Sequence, residues 1–176
     1  LVSAVSSPKR TECHTGGNDY LTYRESCEYF SNNITVAVLG DSHTVELAYA
    51  LAEGMQREGE GVKHLSFSNC VPSYQIERDL RNFTNIKSFE DCSSWTSQAV
   101  DGLISDKRIE TVIISYRIAF SLYGPHEDTY PHLTDERGYE NRRAIWNSLL
   151  TLIETLENAG KRTLFVLQAP ELPRSI

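Results

Sequence analysis

The stretch VAVLGDSHT, residues 36–44, places three reactive side chains side by side. Four apolar residues end at Gly40, and Asp41, Ser42 and His43 follow directly. An acid, a hydroxyl and an imidazole are the groups that acid–base and nucleophilic catalysis use. Free backbone N–H groups at the start of a helix favour developing negative charge. A serine at such a bend therefore suits acyl transfer through an oxyanion intermediate.

A simpler interpretation of this stretch is also open. Ser42 or Asp41 could do no more than cap the helix that begins near Thr44. Gly-Asp-Ser fits many turns, so the tripeptide alone does not decide between a cap and a nucleophile. The decision depends on the position of the stretch in the fold and on other motifs.

Length and charge narrow the class of protein. The chain has 176 residues, of which 40% are hydrophobic, enough for one substantial core but not for two ordinary domains. Its formal charge of -7 argues against a nucleic-acid surface, which needs clustered Lys and Arg. No apolar run approaches the ~20 residues that span a bilayer. The first ten residues, LVSAVSSPKR, are too short and too polar for a secretory signal. We expect no nucleic-acid partner and no membrane insertion by this piece.

Apolar strand-like runs alternate with helical periods along the chain. Helices are predicted where apolar residues recur at helical spacing, from Val45 to Met55, from Trp95 to Ile104 and from Ile145 to Leu156. This pattern, with strands apolar throughout, predicts an α/β fold of three layers, α/β/α, with a mostly parallel sheet. The strands are predicted at 35–39, 62–67, 111–115 and 163–167.

The domain organisation predicted from these patterns is simple. No period persists over residues 1–33, which we interpret as an irregular leader, and residues 34–176 form the α/β domain. Active sites of open α/β sheets lie at the carboxyl ends of the strands. That rule selects three segments: Gly40 to His43, Ser68 to Cys70 and Tyr116 to Phe120.

The four cysteines fall into two local pairs. Cys13 is near Cys27 and Cys70 is near Cys92, and neither spacing is that of a zinc site or a redox motif. Two disulfides in an oxidising compartment and four buried thiols in a reducing one both fit. Spacing alone does not establish the pairing.

Several stretches together resemble a known family. VAVLGDSHTVELAYAL resembles the first block of the SGNH (GDSL-type) hydrolases, in the Gly-Asp-Ser-His form of SGNH domains attached to integral-membrane acyltransferases that modify bacterial surface polysaccharides. Asn69-Cys70-Val71-Pro72 resembles that subgroup's Cys-Pro-Pro segment, and VIISYRIAF resembles its strand ending in Ala-Arg-Trp, with Arg117 at the arginine. LFVLQAPELP is similar to a later strand that ends in Gln-x-Pro. The resemblance runs from about Cys13 to Pro173.

The resemblance implies a role for each residue of the bend. Ser42 is the nucleophile, and its backbone N–H contributes to the oxyanion hole. Gly40 and Asp41 are structural residues of the turn, and His43 is a packing or hydrogen-bonding partner rather than the base. Asn69 and Arg117 are selected by position instead: they lie at strand ends facing the site, and we expect them to make polar substrate or oxyanion contacts. An ion pair that fixes a loop is an equal alternative for Arg117.

The resemblance also implies partners and a location. It implies two disulfides, Cys13–Cys27 and Cys70–Cys92, and a periplasmic domain of an inner-membrane protein. The predicted function is transfer of an acyl group, expected to be acetyl, from a donor delivered by a membrane-embedded acyltransferase domain to a glycan hydroxyl. No cofactor or metal is expected. A carbohydrate O-acetylesterase and a catalytically silent glycan-binding module of the same fold are the alternatives.

One departure from the family concerns the catalytic base. The family takes its base and acid from an Asp-x-x-His segment after the Gln-x-Pro strand, and the sequence reaches Ile176 without one. We therefore expect a domain that lacks its C-terminal part. Asp128 and His132 have one residue too many between them and precede the last strand, so we interpret them as part of a surface loop.

Overall fold

The computed structural model describes residues 6–16, 19–30, 32–76, 86–124 and 138–167, with the backbone alone for residues 86–88. A short 3-10 turn, Gln56–Glu58, directly follows the helix Thr44–Met55. The elements in chain order are α1 (Arg10–Cys13), β1 (Glu28–Tyr29), β2 (Ile34–Gly40), α2 (Thr44–Met55), β3 (Gly61–Ser66), α3 (Ile86–Ser105), β4 (Thr111–Ser115), α4 (Ile118–Tyr123), α5 (Tyr139–Asn158) and β5 (Arg162–Phe165).

The strands of the described chain form one sheet in the order β1-β3-β2-β4-β5. The last four strands in this order are parallel to one another, and β1 is antiparallel to β3. Gly40 at the end of β2 lies opposite Ser66 of β3 and Ser115 of β4, so these three strands end level with one another. The predicted mostly parallel sheet is confirmed.

Two apolar layers cover the two faces of the sheet. Side chains alternate between the faces of a strand, and in β2 Ala37 and Leu39 join the layer formed with α3 and α5. Val38 joins the opposite layer, with Ala48 and Ala52 of α2. This is the predicted three-layer arrangement, and the layer of α3 and α5 holds the larger part of the core.

The leader is packed onto this domain rather than lying apart from it. Cys13 and Tyr29 are buried, and β1 adds a fifth strand that the sequence analysis did not predict. A disulfide joins Cys13 to Cys27, whose carbonyl accepts the N–H of His64 in β3. The indole N–H of Trp95 donates to the carbonyl of Leu21, so the leader also contacts α3. These contacts join the leader to β3 and α3, which are distant from it in the sequence.

Gly40 ends β2 at a point where there is no room for a side chain. A Cβ at this position would overlap the carbonyl oxygen of Ser115 and the methyl group of Thr44. The first of these is backbone of the neighbouring strand, which cannot move without distorting the sheet. We expect Gly40→Ala to lower the free energy of unfolding in urea by about 2 kcal/mol, as overpacking does.

Gly54→Ala is the matched control for this substitution. Gly54 lies in α2, and nothing is within 4 Å of the position that its Cβ would take. Alanine is the better helix former, so this variant should be as stable as the original chain or more stable. A Gly40→Ala protein that matched Gly54→Ala in its unfolding midpoint would contradict the steric argument.

Candidate active site

Three strand ends meet at one edge of the sheet, as their parallel order requires. Ser42 follows β2, Asn69 follows β3 and Arg117 follows β4. All three line one small cleft of about 80 Å³. The structure therefore brings together the residues that were predicted to form the site. The remaining lining residues are Asp41, His43, Ser68, Cys70, Phe120 and Ser121.

A larger groove lies elsewhere on the molecule. It has a volume of about 680 Å³ and runs between the leader and α3, where Tyr23 and Gly102 contribute to its walls. It shares no lining residue with the cleft at the strand ends. We take the smaller cleft as the candidate site, because the nucleophile-type and polar groups converge there.

Asp41 links two of the loops at this edge of the sheet. Its carboxylate is buried, with Oδ1 accepting the backbone N–H of His43 at 2.8 Å and Oδ2 accepting the backbone N–H of Arg117 at 2.6 Å. Its carbonyl oxygen accepts both the N–H and the hydroxyl of Thr44, at 3.1 and 2.7 Å. These contacts fix the turn after β2 and join it to the turn after β4. They are the contacts of a residue that holds a turn, which is the role expected for Asp41.

Ser42 lies at the start of α2, half-buried in the cleft. In the described part of the chain its hydroxyl has no hydrogen-bond partner, and the helix has no side-chain cap at its N-cap residue, His43. The simpler interpretation of the bend is thus wrong for Ser42 and correct only in part for Asp41, whose carboxylate binds the N–H of His43. The Ser42 hydroxyl faces a cleft next to the positive end of a 12-residue helix.

His43 turns towards Asp41. Its Nδ1 lies 3.4 Å from Oδ1 of Asp41, and its side chain is 53% exposed. The role expected for His43, a neighbour of the site rather than the base that takes the proton of Ser42, stays a prediction. Asp128 and His132, which we interpreted as part of a surface loop, lie outside the described residues.

Asn69 is held in a conformation that few residue types adopt. Its φ of 57° lies in the left-handed region, where asparagine is tolerated better than most non-glycine residues. The next residue, Cys70, forms the predicted disulfide with Cys92 of α3, and its N–H donates to the carbonyl of Phe67. The loop that carries Asn69 is therefore covalently fixed to a core helix.

Arg117 lies at the centre of a tight turn. Its φ of -69° and ψ of 72°, with a 2.7 Å bond from the N–H of Ile118 to the carbonyl of Tyr116, define an inverse γ-turn. The turn directs the backbone N–H of Arg117 to Asp41, while the guanidinium carbon lies 4.8 Å from the ring centre of Phe120. Arg117 thus contributes its backbone to the architecture of the site and its side chain to the wall of the cleft.

The sequence analysis missed a histidine that lies beside this edge. His14 follows Cys13 in the leader, and its Nδ1 lies 2.8 Å from the hydroxyl of Ser66, the last residue of β3. Burial, followed by the nearby Arg10 guanidinium, lowers the pKa of His14, while the carboxylates of Asp41 and Glu46 oppose this shift. The sequence could not predict this contact, because it is tertiary and the leader has no periodic pattern that would place it at the sheet.

The described residues contain one cluster of possible metal ligands and no candidate membrane-spanning helix. One group of possible metal ligands, Glu12 with Cys13 and Cys27, lies close together there, and the disulfide uses both of its sulfur atoms. Across the same described residues, none of the helices combines the length and the apolar character that crossing a bilayer requires.

Comparison with known proteins identifies a family and similar solved structures. The family model described as "SGNH domain (fused to AT3 domains)" matches residues 12–176. A similar solved structure is the periplasmic domain of a lipopolysaccharide acetyltransferase from Salmonella ser. Paratyphi A, with 13% sequence identity and a TM-score of 0.47. The match covers 84% of this chain and 49% of that one, so the chain spans about half the length of that structure. The comparison with curated proteins gives no match.

Proposed function

Because the chain belongs to the family of SGNH domains fused to AT3 domains, we propose that it is a serine-dependent O-acyltransferase domain. It transfers an acyl group, which we take to be acetyl, to a glycan hydroxyl through an acyl-Ser42 intermediate. Asn69 and Arg117 contact the substrate or the oxyanion.

One observation carries this proposal: Ser42 lies in a cleft formed by three strand ends, at the start of a helix. The cleft also holds Asn69 and Arg117, which we expect to make polar contacts because each lies at a strand end facing the site. A buried carboxylate, Asp41, keeps two of the three loops in place. Catalysis benefits from such preorganisation, since groups already in position need not reorganise during the reaction.

The proposed reaction has two steps with the same chemistry. The Ser42 oxygen bonds to the acyl carbonyl carbon of an ester or thioester donor, the carbonyl electron pair moves to its oxygen, and the Ser42 proton passes to a base. The oxyanion collapses, and the bond to the donor's leaving oxygen or sulfur breaks with its electron pair, which takes up the proton from the base. A glycan hydroxyl then attacks the acyl-Ser42 carbonyl in the same way, which regenerates the Ser42 hydroxyl.

The base is the part of this mechanism that the described residues do not supply. Among them, no imidazole makes a hydrogen bond with the Ser42 hydroxyl, and His43 lies against Asp41 instead. We assign the proton transfer to the histidine of the family's Asp-x-x-His segment. The Ser42 hydroxyl becomes a strong nucleophile only when such a base removes its proton.

The proposed location is the periplasm, beside a membrane-embedded acyltransferase domain that delivers the acyl group. Two observations support it. The disulfides Cys13–Cys27 and Cys70–Cys92 are of a kind that persists in oxidising compartments. The family to which the chain belongs is described by its fusion to AT3 domains.

Mass spectrometry tests the nucleophile directly. The full-length protein is treated with a fluorophosphonate, which traps activated serines, and its peptides are mapped. We expect the adduct on Ser42, because it lies at the helix start, and none on Ser68 or Ser121, which line the same cleft. An adduct on either of these, with Ser42 unmodified, would assign the nucleophile elsewhere.

The acceptor decides between a transferase and an esterase. The donor is p-nitrophenyl acetate, and the acceptor is an oligosaccharide of the kind found on bacterial surfaces. A transferase should give acetylated sugar as the product. Free acetate with unchanged sugar indicates the esterase. A protein that binds the sugar but releases no p-nitrophenol would be the silent module.

A further inference from the structure

The leader makes a charged contact with the first turn of α2. Glu46 lies in that turn. Its Oε1 accepts a hydrogen bond from Nη1 of Arg10 at 2.5 Å, and its Oε2 accepts the backbone N–H of Ser7 at 2.5 Å. Arg10 belongs to the short helix α1, whose last residue, Cys13, forms the disulfide with Cys27. Both carboxylate oxygens of Glu46 are therefore bound by a segment that lies outside the α/β domain in sequence.

The position of Glu46 relative to Ser42 gives this contact a consequence. Glu46 is the third residue of α2 and Ser42 lies two residues before the helix, so both lie within about one turn of the helix start. An oxyanion formed on the acyl-serine adds a negative charge at the same helix start. A carboxylate at this range disfavours that charge unless a cation neutralises it.

We propose that Arg10 is a positioning residue for the reaction at Ser42. Its guanidinium holds and neutralises Glu46, which leaves the positive end of α2 available to the oxyanion. This inference rests on the proposed function and extends it, because it gives part of the electrostatics of the site to the leader. Arg10 does not line the cleft, so in this proposal it acts on the reaction through Glu46.

The test measures the acylation of Ser42 by p-nitrophenyl acetate in full-length protein at low ionic strength. We expect Arg10→Met to lower kcat about three- to tenfold, because the carboxylate then faces the oxyanion without its partner. Arg10→Lys, which keeps the charge, should retain most of the rate. The double variant Arg10→Met/Glu46→Gln should return to the rate of Glu46→Gln alone.

Salt dependence separates this role from a purely structural one. Glu46 and Arg10 have side chains that are 45% and 38% exposed, so added salt reaches the pair. The deficit of Arg10→Met should shrink between 0.05 and 0.5 M salt, roughly the range over which screening becomes strong. A loss of rate that follows only a lower melting temperature, with no salt dependence and no rescue by Glu46→Gln, would overturn the inference.

Lys9→Met is the matched control. Lys9 pairs with Glu12 near α1, at 2.7 Å, and both side chains are more exposed than those of Arg10 and Glu46. We expect no change in the rate of this variant. If Ser42 is acylated at the normal rate in Arg10→Met at low salt, the inference fails and the proposed function stands. If Ser42→Ala keeps full activity, the proposed function itself fails.

Discussion

Replacing Ser42 by alanine is expected to lower the rate of acyl transfer by about 10⁴ or more, the cost of losing a member of a catalytic triad. The hydroxyl is the atom that bonds to the acyl carbon in the proposed reaction, and nothing else in the variant takes its place. The fold should survive, because Ser42 makes no side-chain hydrogen bond with the described residues and lies at a turn rather than in the core. The measurement is p-nitrophenyl acetate turnover by the full-length protein, with circular dichroism as the test of folding.

Ser97→Ala is the control for this substitution. Ser97 is also half-buried, but its hydroxyl donates to the carbonyl of Ser93 within α3, away from the cleft. Loss of that bond should leave the turnover unchanged. Equal turnover by Ser42→Ala and the unchanged protein would show that the acyl group never resides on Ser42.

Lowering the pH from about 6.5 to 4 is expected to reduce the free energy of unfolding by about 3 kcal/mol through His64 alone. His64 is 1% exposed, and burial, followed by the nearby His14 and Arg10, lowers its pKa from 6.5 to about 4. Above pH 6.5 the imidazole is neutral in both states and makes no difference. Between the two pKa values the unfolded chain binds a proton that the folded chain does not, so stability falls as the pH falls.

The surroundings of His64 explain why its protonated form is unfavourable. Its Nδ1 pairs with the hydroxyl of Tyr29 at 2.9 Å, and its ring stacks on the Tyr29 ring. Within the described residues its Nε2 is buried with no hydrogen-bond partner. A protonated ring would place a positive charge and a second N–H donor there, facing Arg10 and His14 rather than an acid.

Urea denaturation at several pH values measures this effect. The variant His64→Gln keeps an oxygen that can accept from Tyr29 but has no group that titrates in this range. The loss of stability between pH 6.5 and 4.5 should therefore be much smaller in His64→Gln than in the original chain. In His14→Asn the loss should persist in reduced form, because His64 stays in place and one of the groups that lower its pKa is removed. Parallel curves for His64→Gln and the original chain would show that His64 is not the group responsible.

The parallel strands and long helices could be predicted because each carries a repeated local signal. β2 and β4 each contain an uninterrupted run of apolar residues, and α5 repeats apolar residues at helical spacing. β1 has two residues, Glu28 exposed and Tyr29 buried, which is too few to form a period. The six residues of α4, IAFSLY, are fewer than two helical turns and are mostly apolar. Tertiary contacts rather than local pattern determine these two elements.

The candidate site shows the same division. Ser42, Asn69 and Arg117 were predicted because each follows a strand, and the ends of parallel strands share one edge. The bond between the Asp41 carboxylate and the Arg117 N–H joins residues 76 positions apart, and no local pattern indicates such a pair. The contacts of Arg10 with Glu46 and of His14 with Ser66 were missed for the same reason.

The inverse γ-turn at Arg117 places one amide proton between two loops of the site. That proton is bound by the buried carboxylate of Asp41, so it can exchange with solvent deuterium only when the turn after β4 moves away from the turn after β2. Its exchange rate therefore follows the opening of the site and not the mobility of either loop alone. A ligand that binds across both loops slows this exchange, and a ligand that binds only one of them does not. The exchange rate of the Arg117 amide proton therefore measures how often the two loops of the cleft separate.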